Sequence, residues 1–333
     1  MTEPIQIELP TIFEVMTVNA WLIKGKENVL IDCGEKTDKS WNALNEGLKQ
    51  NGLSLQDISK VVITHAHLDH LGMANKITQH CDATIWVSEY VYEWTQNLKE
   101  CLDRRSTVIK AAFDLNLSKV DREKGADFGY KMLGPYWEEV PKERIHVFPM
   151  SGTIDLGGQN WEVIHTPGHC INQTCFYQRA TKRLLSADML LRMIPIPIID
   201  ATIKPPYKGV QSLQQHLDSY KILMDLDIEK AYPGHLEAFG NVAALMEKQI
   251  NRIHQRKEKC FQLINSGTTQ FMDLIHAIYP KRIHNATMFM VIGFLEILKN
   301  EGRIESFVVD DQLQYRVKQE VRSETVNYVD CEK

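Results

Sequence analysis

The sequence predicts a mixed α/β protein in which layered sheets carry helices on their outer faces. Two observations indicate this class. Apolar segments of strand length alternate with segments of helical periodicity along the first 240 residues, and several strand segments are followed closely by histidine or aspartate. The 333 residues, 44% hydrophobic and 24% charged, are typical of a globular protein with more than one domain.

The composition also limits the expected function and location. A net charge of −5 gives no overall basic field that would attract nucleic acid. The longest apolar segment, MFMVIGFLEIL at 288–298, is short and contains Glu296, so no membrane-spanning helix is expected. The seven cysteines form no CxxC pair, and the N-terminal residues MTEPIQIELP lack the regions of a secretory signal. We therefore expect reduced thiols and a cytoplasmic location.

The N-terminal elements begin with a hairpin pattern, in which two short strand segments flank the turn KGKE. KVVITH is a continuous apolar segment, as expected of a strand that is covered on both faces. The polar loop HAHLDH follows it. In chain order we predict strands at 19–23 and 28–32, a helix over 38–51, a strand at 60–65, a helix over 71–80 and a strand at 83–88.

Residues 89–141 have a different character, because they show no clear strand pattern. Val108, Ala112 and Leu115 recur at helical spacing, which favours an inserted helical subdomain. Strand patterns then resume at 144–148, 153–156, 160–166, 173–178, 183–188 and 230–235, with helices predicted over 211–225 and 239–264. The first domain is therefore expected to span residues 1–240, followed by a linker helix over 241–264.

Residues 265–319 are predicted to form a separate, winged-helix-like domain. Three helices precede the segment VVDDQLQYRV, which reads as a two-stranded ribbon turning at Asp310–Asp311. The third helix, at about 286–300, is almost wholly apolar and lacks the Arg, Asn or Gln side chains that read base edges. DNA binding is therefore disfavoured. The charged residues 320–333 are predicted to be a disordered tail.

The segment Thr64-His65-Ala66-His67-Leu68-Asp69-His70 carries the strongest chemical signal. Neutral imidazoles and a carboxylate are suitable ligands for zinc, iron or manganese. Because this loop follows a buried strand, its side chains can converge from one backbone turn. His65 and His67 can point to one metal ion, while Asp69 and His70 reach a neighbouring ion.

Further ligand types follow later strands. His169 and His235 lie in Pro-Gly-His turns, in which glycine permits the turn and proline fixes its entry. Asp188 follows the strand segment RLLSA. Layered α/β proteins place their ligands at the carboxyl ends of strands, so these residues are expected to meet the HAHLDH loop.

This set of motifs resembles the metallo-β-lactamase-fold hydrolase superfamily, over about residues 10–240. The resemblance implies an αβ/βα sandwich with a two-metal site at one edge. It implies that Asp188 bridges the two metals, and that Asp32 in NVLIDCG supports the site from a second shell. By the same resemblance, His65, His67 and His169 would hold the first metal, and Asp69, His70 and His235 would hold the second.

The residue at position 188 distinguishes branches of that superfamily. True β-lactamases have cysteine or serine there, whereas a bridging aspartate is typical of the glyoxalase II, lactonase, ribonuclease Z and flavodiiron branches. Met73, Ala187 and the residues after His169 depart from common family patterns, although no ligand is lost. The C-terminal unit resembles the extension of the β-lactamase-like protein 2 group, which packs beside the mouth of the active site.

The expected activity is that of a dinuclear metal-dependent hydrolase. A metal-bridging hydroxide would attack a small acyl ester, thioester or lactone, and Asp69 would orient it as the catalytic residue. Two divalent ions are implied, with Zn²⁺ favoured over iron or manganese. The alternatives are a phosphodiesterase or endoribonuclease acting on single-stranded RNA, and a regulatory or binding protein with little catalysis. The expected partner is a small-molecule acyl substrate, with no membrane; a nucleic acid is disfavoured, and a homodimer is compatible with the sequence.

The remaining candidate residues receive structural interpretations. His165 precedes the TPGH turn within a strand, and His216 lies in a predicted helix near the expected mouth of the site. Cys170 adjoins His169, but alternation at the strand end predicts that its thiol points away from the metals. The basic segment INRIHQRKEK, at 250–259, is interpreted as a solvated helix face.

Overall fold

Six strands form the first sheet. They are β1 (Ile5–Pro10), β2 (Thr17–Ile23), β3 (Asn28–Ile31), β4 (Ile58–Val62), β5 (Thr84–Ser88) and β6 (Ile145–Phe148). In the computed structural model, which describes residues 2–13, 16–118, 130–193, 197–205, 208–281 and 285–318, their order in the sheet follows the sequence. Strands β1 to β3 pair antiparallel, whereas β3 to β6 pair parallel. The carboxyl ends of β3, β4 and β5 therefore lie at the same edge.

Five strands form the second sheet. They are β7 (Ser151–Asp155), β8 (Asn160–His165), β9 (Thr174–Gln178), β10 (Arg183–Ala187) and β11 (Lys230–Pro233). Their order is β11-β10-β9-β8-β7. Only the β10–β11 pair is parallel, and the other neighbours form antiparallel pairs.

The two sheets pack face to face through an apolar core. Side chains alternate along β2, so that Trp21 and Ile23 face this core while Ala20 and Leu22 face the other side of the sheet. Trp161 and Phe176 of the second sheet belong to the same buried cluster, and both are fully buried. Strands buried on both faces explain the continuous apolar segments in the sequence.

Helices cover the outer faces of both sheets. On the first sheet lie α1 (Asp38–Gln50), α2 (Leu68–Leu71), α3 (Ala74–His80), α4 (Glu89–Gln96), α5 (Leu98–Asn116) and α6 (Tyr130–Leu133); on the second lie α7 (Ser212–Met224) and α8 (Val242–Asn265). Leu44 of α1 lies in the same buried cluster as Val18, and Tyr220 of α7 lies in the same buried cluster as Tyr177. The four-layer αβ/βα sandwich predicted from the sequence is confirmed. Every helix in the described ranges is too short or too polar to cross a bilayer.

One predicted helix begins later than expected. The sequence predicts a helix over 71–80, but α3 begins at Ala74, and Leu71 belongs to the separate short helix α2. The Met73 N–H donates to Gly34 O at 2.9 Å instead of continuing the helix. A side chain at Gly72 would approach Tyr136 O to 2.7 Å, so this position lies in close contact with other backbone. These tertiary contacts override the helical periodicity.

The described parts of the predicted insertion, 89–118 and 130–141, contain α4, α5 and α6 and no strand, as predicted. The predicted insertion also includes residues 119–129, which lie outside the described ranges. Phe113 of α5 stacks on Phe289, with the ring centroids 5.4 Å apart. The insertion therefore shares its core with the C-terminal unit.

The C-terminal unit differs from its prediction in one respect. Its described residues contain two helices, α9 (Phe271–Ile278) and α10 (Asn285–Asn300), rather than three, because α8 supplies the third packed helix. The ribbon is present as β12 (Ile304–Val309) and β13 (Gln312–Val317), and it turns at Asp310–Asp311. The winged-helix assignment and the domain boundaries stay predictions. The predicted tail, 320–333, lies outside the described residues.

Candidate metal centre

The structure brings all seven predicted ligands to one edge of the sandwich. Four of them lie in the segment after β4, and Asp69 and His70 fall in the short helix α2. His169 lies in the turn after β8, Asp188 follows β10 directly, and His235 follows β11. Six of the seven residues are buried, and His67 is only partly exposed.

Three imidazoles converge to form the first group. The Nε2 atom of His65 lies 2.9 Å from Nδ1 of His67, and Nε2 of His169 lies 2.9 Å from the same Nδ1 atom. Their ligand atoms all lie within 4.8 Å of one another. Three nitrogen atoms at these separations can bind one cation, as in zinc sites that leave a coordination position open.

Asp69, His70 and His235 form the second group. The Oδ2 atom of Asp69 lies 3.5 Å from Nε2 of His235 and 3.9 Å from Nε2 of His70. Asp69 therefore faces the space between the two rings. Two nitrogen atoms and one carboxylate oxygen are a suitable ligand set for zinc, iron or manganese.

Asp188 lies between the two groups. Its Oδ2 atom is 3.4 Å from Nε2 of His169 in the first group and 3.2 Å from Nε2 of His235 in the second. Its Oδ1 atom is 3.5 Å from Nε2 of His70. One carboxylate therefore adjoins histidines of both groups, which is the position expected of a bridging ligand.

Hydrogen bonds on the outer side of the site orient the rings. His70 Nδ1 lies 2.7 Å from Asp32 Oδ2, and His235 Nδ1 lies 2.6 Å from the carbonyl oxygen of Thr17. His65 Nδ1 lies 2.9 Å from Thr64 Oγ1, which donates to Asp32 Oδ2 at 2.8 Å. When each Nδ1 carries the proton, each Nε2 lone pair points into the site. Asp32 thus contacts one ligand directly and a second through Thr64.

The atoms inside the site fit divalent cations. Among the described residues, His70 Nε2 and Asp188 Oδ1 are buried without a hydrogen-bond partner, and both face the centre. Buried polar atoms usually have partners, because an unsatisfied one costs about 1–3 kcal/mol. Imidazoles and carboxylates are suitable metal ligands, and the outward nitrogens of His65, His70 and His235 already have partners.

The charge state of the metal-free site differs between the two ligand groups. Burial lowers the pKa of His65 and of His67 well below 6.5, and neighbouring histidines lower it further, so both are neutral at pH 7. Burial also disfavours a charged His235, but Asp188 outweighs it and raises the pKa to about 9. Burial raises the pKa of Asp188, but His235 and His70 hold it well below its usual range. The metal-free site therefore holds ionised Asp188 beside protonated His235.

Backbone conformation at two turns aims the ligands. Ala187 has a φ of 43°, in the left-handed region, and the chain reverses there so that Asp188 enters the site. The φ of Gly168 is 144°, and a Cβ atom there would lie 2.4 Å from His216 Cα. Glycine is therefore required at position 168, before His169, because any side chain there would clash. At position 187 alanine adopts a left-handed conformation in which glycine is the residue usually found.

The residues given structural interpretations stay outside the two ligand groups. His165 Nε2 lies 2.8 Å from Ile171 O, and its ring contacts Tyr90. His216 is buried against Tyr220. The Cys170 thiol lies 3.2 Å from Asn172 Oδ1, and burial raises its pKa well above the usual value, so it is not a thiolate.

Several supporting residues were missed by the sequence analysis. Thr64 relays a hydrogen bond from His65 to Asp32, and its position directly before the histidine motif was the available signal. Asn172 Oδ1 accepts from the Ala66 N–H at 3.0 Å and so joins two ligand loops. Arg105 and Asp200 lie beside the same loops, but no local motif marks them.

The fold and the site together define an αβ/βα protein with a candidate two-metal centre at the carboxyl ends of its strands. Comparison with known families identifies the class further. Residues 14–235, two thirds of the chain, match the Metallo-beta-lactamase superfamily, and the chain belongs to this family. The family is a superfamily of metal-dependent hydrolases, so the predicted enzyme class is confirmed.

Several relatives resemble the chain over most of its length. It is 26% identical to a probable metallo-hydrolase, YqjP, of Bacillus subtilis, over 91% of this chain and 94% of the relative. It is 22% identical to the Beta-lactamase-like protein 2 homolog of Drosophila melanogaster, over 89% of this chain and 86% of the relative. A metallo-beta-lactamase family protein of Thermus thermophilus has the same fold, with a TM-score of 0.74 and 21% sequence identity. The match covers 94% of this chain and 98% of the Thermus chain.

Proposed function

We propose that this protein is a dinuclear metal-dependent hydrolase of a small acyl ester, thioester or lactone, with zinc as its metal. The observation that carries the proposal is the convergence of the seven ligand side chains, with Asp188 between the two groups. Divalent ions bound there would supply Lewis acidity, which lowers the pKa of water to near 7 and polarises a substrate carbonyl.

The chain's own residues would supply position and proton transfer. Asp69 faces the space beside His235, where its carboxylate can orient water and move a proton towards the leaving group. Burial of the surrounding residues excludes bulk water and strengthens these interactions. Because His67 alone among the seven ligands is partly exposed, the substrate is expected to approach from its side.

Two features support a small acyl substrate over RNA. The net charge of −5 gives no overall basic field that would attract a polyanion. Helix α10, which a nucleic-acid-reading module would need to expose, is buried along most of its length. The cytoplasmic location and a homodimer stay predictions.

The test combines metal analysis with a substrate panel. We expect about two zinc ions per chain and turnover of thioesters or lactones, but not of bis(p-nitrophenyl) phosphate or single-stranded RNA. His67→Ala and Asp188→Ala should each lose metal and activity, whereas His276→Ala, an exposed histidine outside the site, should retain both. Turnover of RNA alone would favour a nuclease, and full turnover in Asp188→Ala would refute the proposed mechanism.

A further inference from the structure

Arg105 is an unusually buried cation beside the candidate metal centre. It lies in the insertion helix α5, and only 7% of its surface is exposed. The guanidinium carbon lies 4.0 Å from the centre of the Trp94 ring. A buried charge is costly unless it is paired and hydrogen-bonded, so the partners of Arg105 indicate its role.

The partners of Arg105 connect it to both loops that supply the first ligand group. Its Nη2 atom donates to Ala66 O at 3.3 Å, and Ala66 stands between His65 and His67. Its Nε atom donates to Asp200 Oδ1 at 3.4 Å. Asp200 is 2% exposed, and its Oδ2 atom accepts from the Ile171 N–H at 3.3 Å, two residues after His169.

Two further hydrogen bonds complete this connection. The Ala66 N–H donates to Asn172 Oδ1 at 3.0 Å, so both polar groups of Ala66 are held. The Ile198 N–H, in the loop that carries Asp200, donates to His169 O at 3.0 Å. The distance between the ligand nitrogens of His67 and His169 therefore depends on a small network centred on the Arg105–Asp200 pair.

The second ligand group is held by different contacts. Asp32 orients His70, and the carbonyl group of Thr17 orients His235. No hydrogen bond joins Arg105 or Asp200 to these residues within the described part of the chain. Asp32 also reaches His65 of the first group through Thr64, whereas the hydrogen bonds of Arg105 and Asp200 to ligand loops are, among the described residues, with the loops of the first group alone.

We propose that Arg105 and Asp200 are positioning residues that fix the half of the metal centre formed by His65, His67 and His169. This inference rests on the proposed function, because it assumes that these histidines bind metal. It assigns to the insertion helix a role in setting metal affinity. A pair that only stabilised the fold would not distinguish one metal position from the other.

The test measures zinc affinity by competition with a chromophoric chelator in the purified full-length chain. In Arg105→Met we expect one of the two zinc ions to bind about 10–100-fold more weakly, as when supports of metal ligands are removed, and the other to bind unchanged. Arg105→Lys should show a smaller loss, because lysine keeps the charge but lacks the planar fork of donors that reaches both acceptors. The visible spectrum of the cobalt-substituted protein should change at the weakened position.

Arg104→Met provides the matched control. Arg104 is adjacent on the same helix, and its guanidinium pairs with Glu93 at 2.8 Å. The Arg104→Met variant should bind both zinc ions with wild-type affinity. Should Arg105→Met fail to fold, Asp200→Asn tests the same connection, and the same selective loss is expected.

The outcomes separate this inference from the proposed function. Unchanged zinc affinity in folded Arg105→Met, or an equal loss at both positions, overturns the positioning role while leaving the metal centre intact. A wild-type protein that binds no zinc overturns the proposed function and the inference together.

Discussion

A Cβ atom on Gly234 would lie 2.1 Å from Asp188 Oδ1, so the backbone of one ligand turn touches the side chain of the proposed bridging ligand. The same atom would lie 2.8 Å from Cε1 of His70. Gly234→Ala should therefore displace Asp188, weaken metal binding at least tenfold and destabilise the protein by about 1–3 kcal/mol. Metal analysis and thermal unfolding measure these effects.

Gly240→Ala is the control for that substitution. Its added Cβ would meet Glu229 O at 3.4 Å, an ordinary contact, so metal content should not change. Equal metal content in the two alanine variants would contradict the close packing at Gly234.

Asp32 gives a second prediction, because it accepts hydrogen bonds from His70 and from Thr64. Asp32→Ala should leave both ligand rings less well oriented and lower zinc affinity about 10–100-fold. Chelator competition measures the change. Asp225→Ala, at an exposed position outside the site, should have wild-type affinity; an Asp32→Ala variant with the same affinity would show that the contact has no influence on metal binding.

The pH dependence of metal binding follows from His235. In the metal-free protein the His235 ring is protonated below about pH 9, because Asp188 outweighs the effect of burial and raises the pKa of His235 to about 9. Zinc must displace this proton and that of His70, whose pKa is held well above 6.5 by Asp188 and Asp32 against the effect of burial. Zinc affinity should therefore rise by at least about tenfold per pH unit between pH 7 and pH 9. Competition titrations across this range test it, and a flat profile would exclude protonated His235.

The stability of the metal-free protein should fall as pH rises, whereas its zinc affinity rises. A raised pKa in the folded state gives a stabilisation that is complete below the unfolded value of about 6.5 and is lost as pH rises towards 9. For His235 this loss amounts to roughly 3 kcal/mol. Urea unfolding of chelator-treated protein at pH 6 and pH 9 measures it, and saturating zinc should abolish the decrease.

The contact between the insertion and the C-terminal unit gives a further prediction. Phe289 is 5% exposed and stacks on Phe113. Phe289→Ala should remove buried apolar surface, leave a cavity and lower the free energy of unfolding by about 3–5 kcal/mol. Val308→Ala, at a residue that is 65% exposed, should change it by less than about 0.5 kcal/mol. Similar effects of the two substitutions would mean that the stacked rings contribute little.

The sandwich and its ligand set could be predicted from the sequence because their signals are local. Apolar segments mark strands that are buried on both faces, and each ligand follows one of these segments within a few residues. His169 and His235 gained a further signal from the Pro-Gly turns before them. The structure brings these residues together because the parallel and antiparallel pairing places the strand ends at one edge.

The supports of the site could not be predicted, because their partners are distant in sequence. In the sequence, nothing distinguishes Arg105 from the other polar residues of an amphipathic helix. Its partner in the structure, Asp200, lies 95 residues later in the chain. The late start of the helix predicted over 71–80 likewise depends on Gly34 and Tyr136, which contact Met73 and Gly72 from other elements. Local periodicity carries no information about such contacts.

The stacking of Phe113 on Phe289 has a consequence for synthesis of the chain on the ribosome. The apolar face of α5 emerges long before α10, its packing partner, has been translated. At a synthesis rate of about 5–20 residues per second, the apolar face of α5 stays exposed for on the order of ten to thirty seconds before α10 can pack on it. A nascent chain exposing such a surface is prone to aggregation, so we expect chaperones to bind it during this interval and to release it once residues near 290 have emerged.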